Sequence, residues 1–171
     1  LNPMNQYGKT KLLAEKLVQS KISNSIILRT NFFGWGPTYR RSFSDRIIDN
    51  VKSNKEIHLF EDAFFSPISI RRLSEIILLL FRKKKSGIFN ISSNNRISKY
   101  NFGLQLCELL NLKKDLIIPS SIENAKNLVI RPKDTSLNNK KVTNELGFDC
   151  GYVSNNIVDL ICDTKDGIKE Q

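Results

Sequence analysis

The chain has 171 residues, of which 40% are hydrophobic, enough for about one domain with a hydrophobic core. No apolar run approaches the roughly 18 to 20 residues that span a bilayer, so we expect no membrane partner. The net charge is +10, but the lysines are spread along the chain and no basic motif is interleaved with aromatic residues. We therefore expect no nucleic-acid partner either.

Alternating periodicities predict an α/β fold. A first helix is expected at about residues 6–19, which are rich in Lys, Leu and Ala and are preceded by Asn5. The aliphatic run at 25–29 is typical of a parallel strand that is buried on both faces. Further helices are expected at residues 43–51, 73–81, 98–110, 140–146 and 155–163. Further strands are expected at residues 57–60, 87–92 and 116–119.

Two of these elements carry a more specific prediction. The helix at 73–81 is apolar nearly all round, which predicts burial between layers. The strand at 116–119 ends in Pro119, which we expect to stop it.

Cysteine usage favours a reduced protein in the cytoplasm. Cys107, Cys150 and Cys162 are odd in number and widely separated, and no Cys-x-x-Cys pair occurs. The single histidine, His58, stands beside Leu59 and is expected to be structural. The sequence therefore predicts neither a disulfide framework nor a metal site.

Tyr7 and Lys11 are the residues with the clearest potential for chemistry. They lie four apart on the first predicted helix, so their side chains share one face, and Ala14 and Val18 would continue that face toward a sheet. A nearby ammonium favours the phenolate form of a tyrosine, and such a pair can relay a proton to a substrate oxygen. A solvated helix face is the alternative interpretation of the same spacing.

The context of this pair resembles a known family. Residues 5–15 (Asn-Gln-Tyr-Gly-Lys-Thr-Lys-Leu-Leu-Ala-Glu) are followed by the predicted strand and loop at 27–37. Three further segments follow in order: the strand at 87–92, the helix start at 98–100, and the Arg-Pro-Lys-Asp-Thr-Ser-Leu segment at 131–137. Across about residues 1 to 150 this order resembles the extended short-chain dehydrogenase/reductases, and most closely the dTDP-4-dehydrorhamnose reductase family.

The resemblance implies NAD(P)-dependent reduction of a 4-keto nucleotide sugar. Tyr7 matches the proton donor to the sugar, and Lys11 matches its partner, which also binds the nicotinamide ribose. Thr30 and Phe33 match cofactor contacts, while Asn31, Phe32 and Arg131 match substrate contacts, with Arg131 near the diphosphate. The cofactor would be NADP or NAD, the substrate a nucleotide sugar, and a homodimer is a further expectation.

The same resemblance implies an incomplete catalytic unit. The chain contains no Gly-x-Gly-x-x-Gly or Gly-x-x-Gly-x-x-Gly motif for the cofactor pyrophosphate. We therefore expect the C-terminal portion of a Rossmann-like, doubly wound sheet together with a small substrate-binding lobe, without the N-terminal cofactor half. The chain would form one unit: the catalytic helix and last Rossmann elements at about 1–40, the lobe at about 41–150 and a helix at about 154–169.

Three alternatives remain open at this point. One is an epimerase or dehydratase of the same superfamily, and another is a regulatory or binding subunit that keeps the fold. The third is a fragment that is inactive by itself.

Trp35, between two glycines, is compatible with either a pocket wall or ordinary packing.

Overall fold

The fold is that of a mixed α/β protein, seen in a computed structural model that describes residues 3–124 and 131–165. The helices are α1 (Gln6–Lys21), α2 (Phe43–Lys52), α3 (Ile70–Arg82), α4 (Lys99–Leu109), α5 (Lys140–Leu146) and α6 (Val153–Lys165). The strands are β1 (Ile26–Thr30), β2 (Phe32–Phe33), β3 (Ile57–Phe60), β4 (Phe64–Phe65), β5 (Ile68–Ser69), β6 (Gly87–Ile91), β7 (Ile97–Ser98) and β8 (Ile117–Ser120).

Parallel pairing dominates the sheets. β1 pairs with β6, β2 with β5 and β3 with β8 in parallel, whereas β4 and β7 are antiparallel. The helices that connect the parallel strands pack beside them, as crossover connections require. Parallel strand pairs with helices packed beside them make a Rossmann-like α/β arrangement, as the sequence predicts.

Side-chain caps fix where several helices begin. The Asn5 side chain accepts a hydrogen bond from the Gly8 backbone N–H at 2.9 Å, and Ser98 caps α4 in the same way. At α2, Ser42 and Asp45 form a reciprocal capping box. The predicted helix starts at residues 6 and 98 are confirmed to within one residue.

Two hydrophobic clusters form the core of the described residues. The first surrounds α4 and includes Phe33, Phe65, Phe102 and Leu160. The second lies beside the β1–β6 pair and includes Ile76, Leu80, Phe89, Val142 and Leu146, with Ile26 and Leu28 packed against it. The second cluster thus joins residues from both sides of the predicted division near residue 40.

Several burial predictions are wrong in detail. Every residue of β1 is half-buried rather than buried, because β1 pairs along one edge and no α1 side chain is buried among the described residues. Ala14 and Val18 are exposed, so the face that they share with Tyr7 and Lys11 does not pack on a sheet. Among the described residues of α1, Glu15, four positions after Lys11, is the side chain that hydrogen-bonds to β1.

Helix α3 is amphipathic rather than buried all round. Leu73, Ile76 and Leu80 face the core, whereas Ile77, Leu78 and Phe81 are exposed. The neighbouring elements among residues 3–124 and 131–165 therefore cover only part of the apolar surface of α3. The expectation of a helix enclosed between two layers is therefore not met.

The ends of three other elements differ from the predictions. Helix α3 begins at Ile70, three residues before the predicted start. Pro119 lies inside β8 and does not stop it, since β8 pairs on one side with β3 and a proline is tolerated in an edge strand. Helix α6 begins at Val153, two residues before the predicted start. Residues 166–169 of the predicted last helix lie outside the described residues.

Candidate functional site

Tyr7 and Lys11 lie together on the open face of α1. The helix forms because residues 9–19 favour helix and Asn5 caps the first turn. The Tyr7 side chain is 71% exposed, and the Lys11 Nζ lies 5.5 Å from the centre of its ring. This separation is within the range of a cation–π contact. The phenol and the ammonium therefore lie side by side on the exposed surface of α1.

A bidentate ion pair fastens α1 to β1. Arg29 donates from Nε to Glu15 Oε1 at 2.9 Å and from Nη2 to Oε2 at 2.5 Å. The hydrogen bonds from Arg29 hold the pKa of Glu15 below its usual value, although partial burial opposes them. Glu15 is thus a carboxylate at neutral pH, and the two elements share a charge-assisted contact.

The other predicted site residues near the carboxyl end of β1 differ in how far they are exposed. The Thr30 hydroxyl oxygen is buried and has no hydrogen-bond partner among the described residues. Phe32 is 61% exposed and offers an open aromatic face. Phe33 is 3% exposed and packs edge-on against Phe102, with ring centres 5.1 Å apart. The Phe33 ring therefore lies in the core and presents no open face to a ligand.

Asn31 connects this loop to the segment that carries Arg131. Its side-chain amide donates to the Thr135 carbonyl at 2.8 Å, across 104 positions of the chain. The Thr135 backbone N–H in turn donates to the Phe64 carbonyl at 2.9 Å. Arg131 itself is exposed. The structure thus joins Asn31 to the Arg131 segment through hydrogen bonds to backbone carbonyls.

Arg96 holds the same segment from another side. Its guanidinium pairs with Asp134 at 2.5 Å and lies 4.8 Å from the centre of the Phe64 ring. Asp134 also accepts from Ser136, and these hydrogen bonds keep its pKa below the usual value. Arg96 is a contact that the sequence reasoning missed, because its partners are distant in sequence.

Lys99 is a second residue that sequence reasoning missed. Its Nζ lies 3.2 Å from the centre of the Phe65 ring and 4.7 Å from that of Phe43. Burial lowers the pKa of this amine to about 8, because the charged form loses hydration. The spacing of Ser98, Lys99 and Tyr100 predicts only a helix start, since both rings come from other elements.

Trp35 has a packing role. Its indole N–H donates to the Leu160 carbonyl at 3.0 Å, which ties the loop after β2 to α6. Of the two interpretations of this tryptophan, the packing one is confirmed.

A cleft of about 700 Å³ runs along the outer side of α4. Its lining includes Arg96, Tyr100, Leu104, Gln105, Lys114 and Ile117, and none of the predicted site residues belongs to it. The Gln105 side-chain oxygen is buried and has no partner within residues 3–124 and 131–165. This cleft is thus separate from the residues that the sequence singles out.

Neither a metal cluster nor a membrane span is found in the part of the chain that the structure describes. No group of three or more His, Cys, Asp or Glu side chains there is arranged to hold a metal ion. No helix there combines the length and apolar character needed to cross a bilayer.

Comparison with known proteins decides the family. The family model described as the RmlD substrate binding domain matches residues 1–165. The chain belongs to the RmlD substrate-binding domain family. The computed structure agrees, since it superposes on a crystal structure of dTDP-4-dehydrorhamnose reductase from Bacillus anthracis in complex with NADP with a TM-score of 0.86. That match has 21% identity and covers 95% of this chain and 57% of the other.

Two curated relatives show the range of proteins that share this domain. The spore coat polysaccharide biosynthesis protein SpsK of Bacillus subtilis is 27% identical over 143 residues, which are 83% of this chain and 49% of SpsK. Methionine adenosyltransferase 2 subunit beta of Xenopus laevis is 26% identical over 129 residues, or 71% of this chain and 39% of that subunit. The chain spans about half the length of SpsK, and less of the subunit.

Proposed function

We propose that this chain is the substrate-binding part of an NAD(P)-dependent reductase that acts on a 4-keto nucleotide sugar, similar to dTDP-4-dehydrorhamnose reductase. The observation that carries the proposal is the open Tyr7–Lys11 pair, with Lys11 Nζ 5.5 Å from the Tyr7 ring, in a chain of the RmlD substrate-binding domain family. A phenol beside an ammonium is suited to give a proton to a carbonyl oxygen.

The residues present fit a nicotinamide cofactor. Tyr7 and Lys11 are exposed on α1, and the Thr30 hydroxyl at the end of β1 still has an unused hydrogen-bonding capacity among the described residues. When bound, the cofactor supplies the hydride for the reduction. Lys11 would bind the nicotinamide ribose.

Substrate recognition falls to residues around the loop after β1. In the proposal Tyr7 donates its phenolic proton to the keto oxygen of the sugar. Phe32 offers an exposed aromatic face to the sugar ring. Arg131 is exposed and suits the diphosphate, because its planar guanidinium can bind phosphate oxygens in pairs. Asn31 supports this arrangement by holding the Arg131 segment through Thr135.

The direct test uses the full-length protein with a 4-keto nucleotide sugar and reduced NADP or NAD. We expect oxidation of one reduced cofactor for each sugar reduced, with the product identified by mass. A protein that converts the sugar without net oxidation of the cofactor would instead be an epimerase or dehydratase. A protein that changes no nucleotide sugar contradicts the proposal.

A regulatory subunit is the second candidate, and the similarity to methionine adenosyltransferase 2 subunit beta favours it. A subunit of that kind keeps the fold and binds a partner enzyme. Affinity capture of the full-length protein from its own cells separates the two. Recovery of a stoichiometric enzyme partner, together with no sugar reduction, would favour the regulatory role, and reduction without a partner would favour the reductase.

A further inference from the structure

Two hydrogen bonds from one pair of side chains join α1 to β1. No side chain of α1 is buried. Among the residues that the structure describes, Glu15 is the α1 side chain that hydrogen-bonds to another element, and its partner is Arg29 of β1. Both side chains are largely withdrawn from water, with 17% of Glu15 and 24% of Arg29 exposed. Screening by solvent is thus weaker than for an exposed pair.

The pair connects the two parts of the proposed site. Tyr7, Lys11 and Glu15 are spaced four apart, so they form one stripe along α1. Arg29 directly precedes Thr30, the last residue of β1 and the first of the segment 30–33 that the proposed cofactor and substrate would contact. The ion pair therefore lies where the helix with the proton donor meets the strand that leads to the ligand loop.

The distance along α1 between Glu15 and Tyr7 makes the position of Tyr7 sensitive to the orientation of the helix at Glu15. Eight residues of α-helix span roughly 12 Å, since each residue rises about 1.5 Å. A tilt of about 5° at Glu15 would thus move Tyr7 by roughly 1 Å, an error that can cost about 100-fold in rate. Two parallel hydrogen bonds resist such a tilt better than one, because they fix the orientation of both groups.

We propose that the Glu15–Arg29 ion pair positions Tyr7 and Lys11 relative to the segment at residues 30–33. This inference rests on the proposed reductase function. Glu15 touches neither substrate nor cofactor in it and acts through the placement of α1. The positioning depends on both hydrogen bonds from the Arg29 guanidinium. Arg29→Lys keeps the charge but cannot make this pair of bonds, so it should still disturb the placement of α1.

The test compares kcat and KM in the full-length protein for wild type, Glu15→Gln, Arg29→Lys and the exchanged pair Glu15→Arg with Arg29→Glu. We expect kcat to fall about 10-fold to 100-fold in the single variants. The KM for the nucleotide sugar should change less than twofold. The exchanged pair should recover most of kcat, because it restores two opposite charges across the same contact.

A matched control is available on α2. Arg41 pairs with Asp49 through two hydrogen bonds of 2.8 and 2.7 Å, in the same bidentate manner but on an exposed surface away from α1. Asp49→Asn should leave kcat unchanged. A merely structural role for Glu15 would lower the melting temperature and leave kcat per folded molecule unchanged, and that result would overturn the inference.

A second measurement keeps the inference separate from the proposed function. If wild type reduces no nucleotide sugar, the proposed function is wrong, and the positioning of Lys11 can still be measured as the dissociation constant of NADPH or NADH by fluorescence. We expect Glu15→Gln to weaken this binding severalfold, while Asp49→Asn does not. Equal affinities in wild type and Glu15→Gln would overturn the positioning role.

Discussion

At the scale of single residues, the site depends on contacts between residues that are distant in sequence. The pairing of Tyr7 with Lys11 could be predicted, because a spacing of four places both on one helix face. The link from Asn31 to Thr135 could not, since it joins two loops across 104 positions. The burial of Phe33 could not be predicted either, because Phe102 packs against this strand residue from helix α4.

Lys99 also depends on contacts with residues distant in sequence, and its burial affects how the stability of the fold changes with pH. Its amine lies against two aromatic rings, which favour the charged form, but burial lowers its pKa to about 8. The unfolded chain keeps the ordinary value of 10.5. Between these two values Lys99 binds fewer protons in the folded state than in the unfolded state, so its contribution to the free energy of unfolding rises with pH there.

We predict that Lys99→Met removes this rise and is more stable than wild type at pH 7. Chemical denaturation of the 171-residue chain at several values between pH 7 and 10.5 measures both effects. Lys16→Met, which changes an exposed lysine of α1, should keep the wild-type dependence. Equal pH profiles in wild type and Lys99→Met across this window would contradict the assignment of a buried amine with a lowered pKa.

At the scale of elements, helix limits were more predictable than strands. Helix starts carry a local signal in their capping residues, as at Asn5 and Ser98. The strands β2, β4, β5 and β7 have two residues each, too few to show an alternating pattern. Burial was less predictable still, since the exposed face of α3 has the composition of a buried one.

Ser42 tests how much a cap contributes to α2. Its hydroxyl accepts from the Asp45 backbone N–H at 3.1 Å, while the Asp45 carboxylate accepts from the Ser42 and Gly36 N–H groups. We predict that Ser42→Ala lowers the free energy of unfolding by about 1 kcal/mol. Ser53→Ala, at the exposed far end of the same helix, should be neutral, and equal losses in both variants would contradict the capping role.

At the scale of the whole molecule, the order of elements was predictable but their partnership was not. Aliphatic runs and helical periods gave the alternation of helices and strands. They did not show that α3, β6 and α5 share one cluster with β1, while α2, α4 and α6 surround another. Such grouping depends on long-range packing, which no local pattern encodes.

The two clusters predict how the 171-residue chain behaves when it is produced alone. Its buried aliphatic and aromatic side chains should give a cooperative thermal transition by circular dichroism. Since the chain contains no glycine-rich pyrophosphate motif, we also expect no oxidation of NADPH or NADH by it with a 4-keto nucleotide sugar. A gradual melt, or turnover by this chain alone, would contradict the respective expectation.

The central claim is that Tyr7 gives the proton, and single-turnover reduction by full-length Tyr7→Phe tests it most directly. Loss of a general acid should slow this step by about 100-fold or more, with the dissociation constant of the nucleotide sugar unchanged. Tyr152→Phe, which changes another exposed tyrosine, should react at the wild-type rate. A Tyr7→Phe protein that reduces the sugar as fast as wild type would contradict the claim.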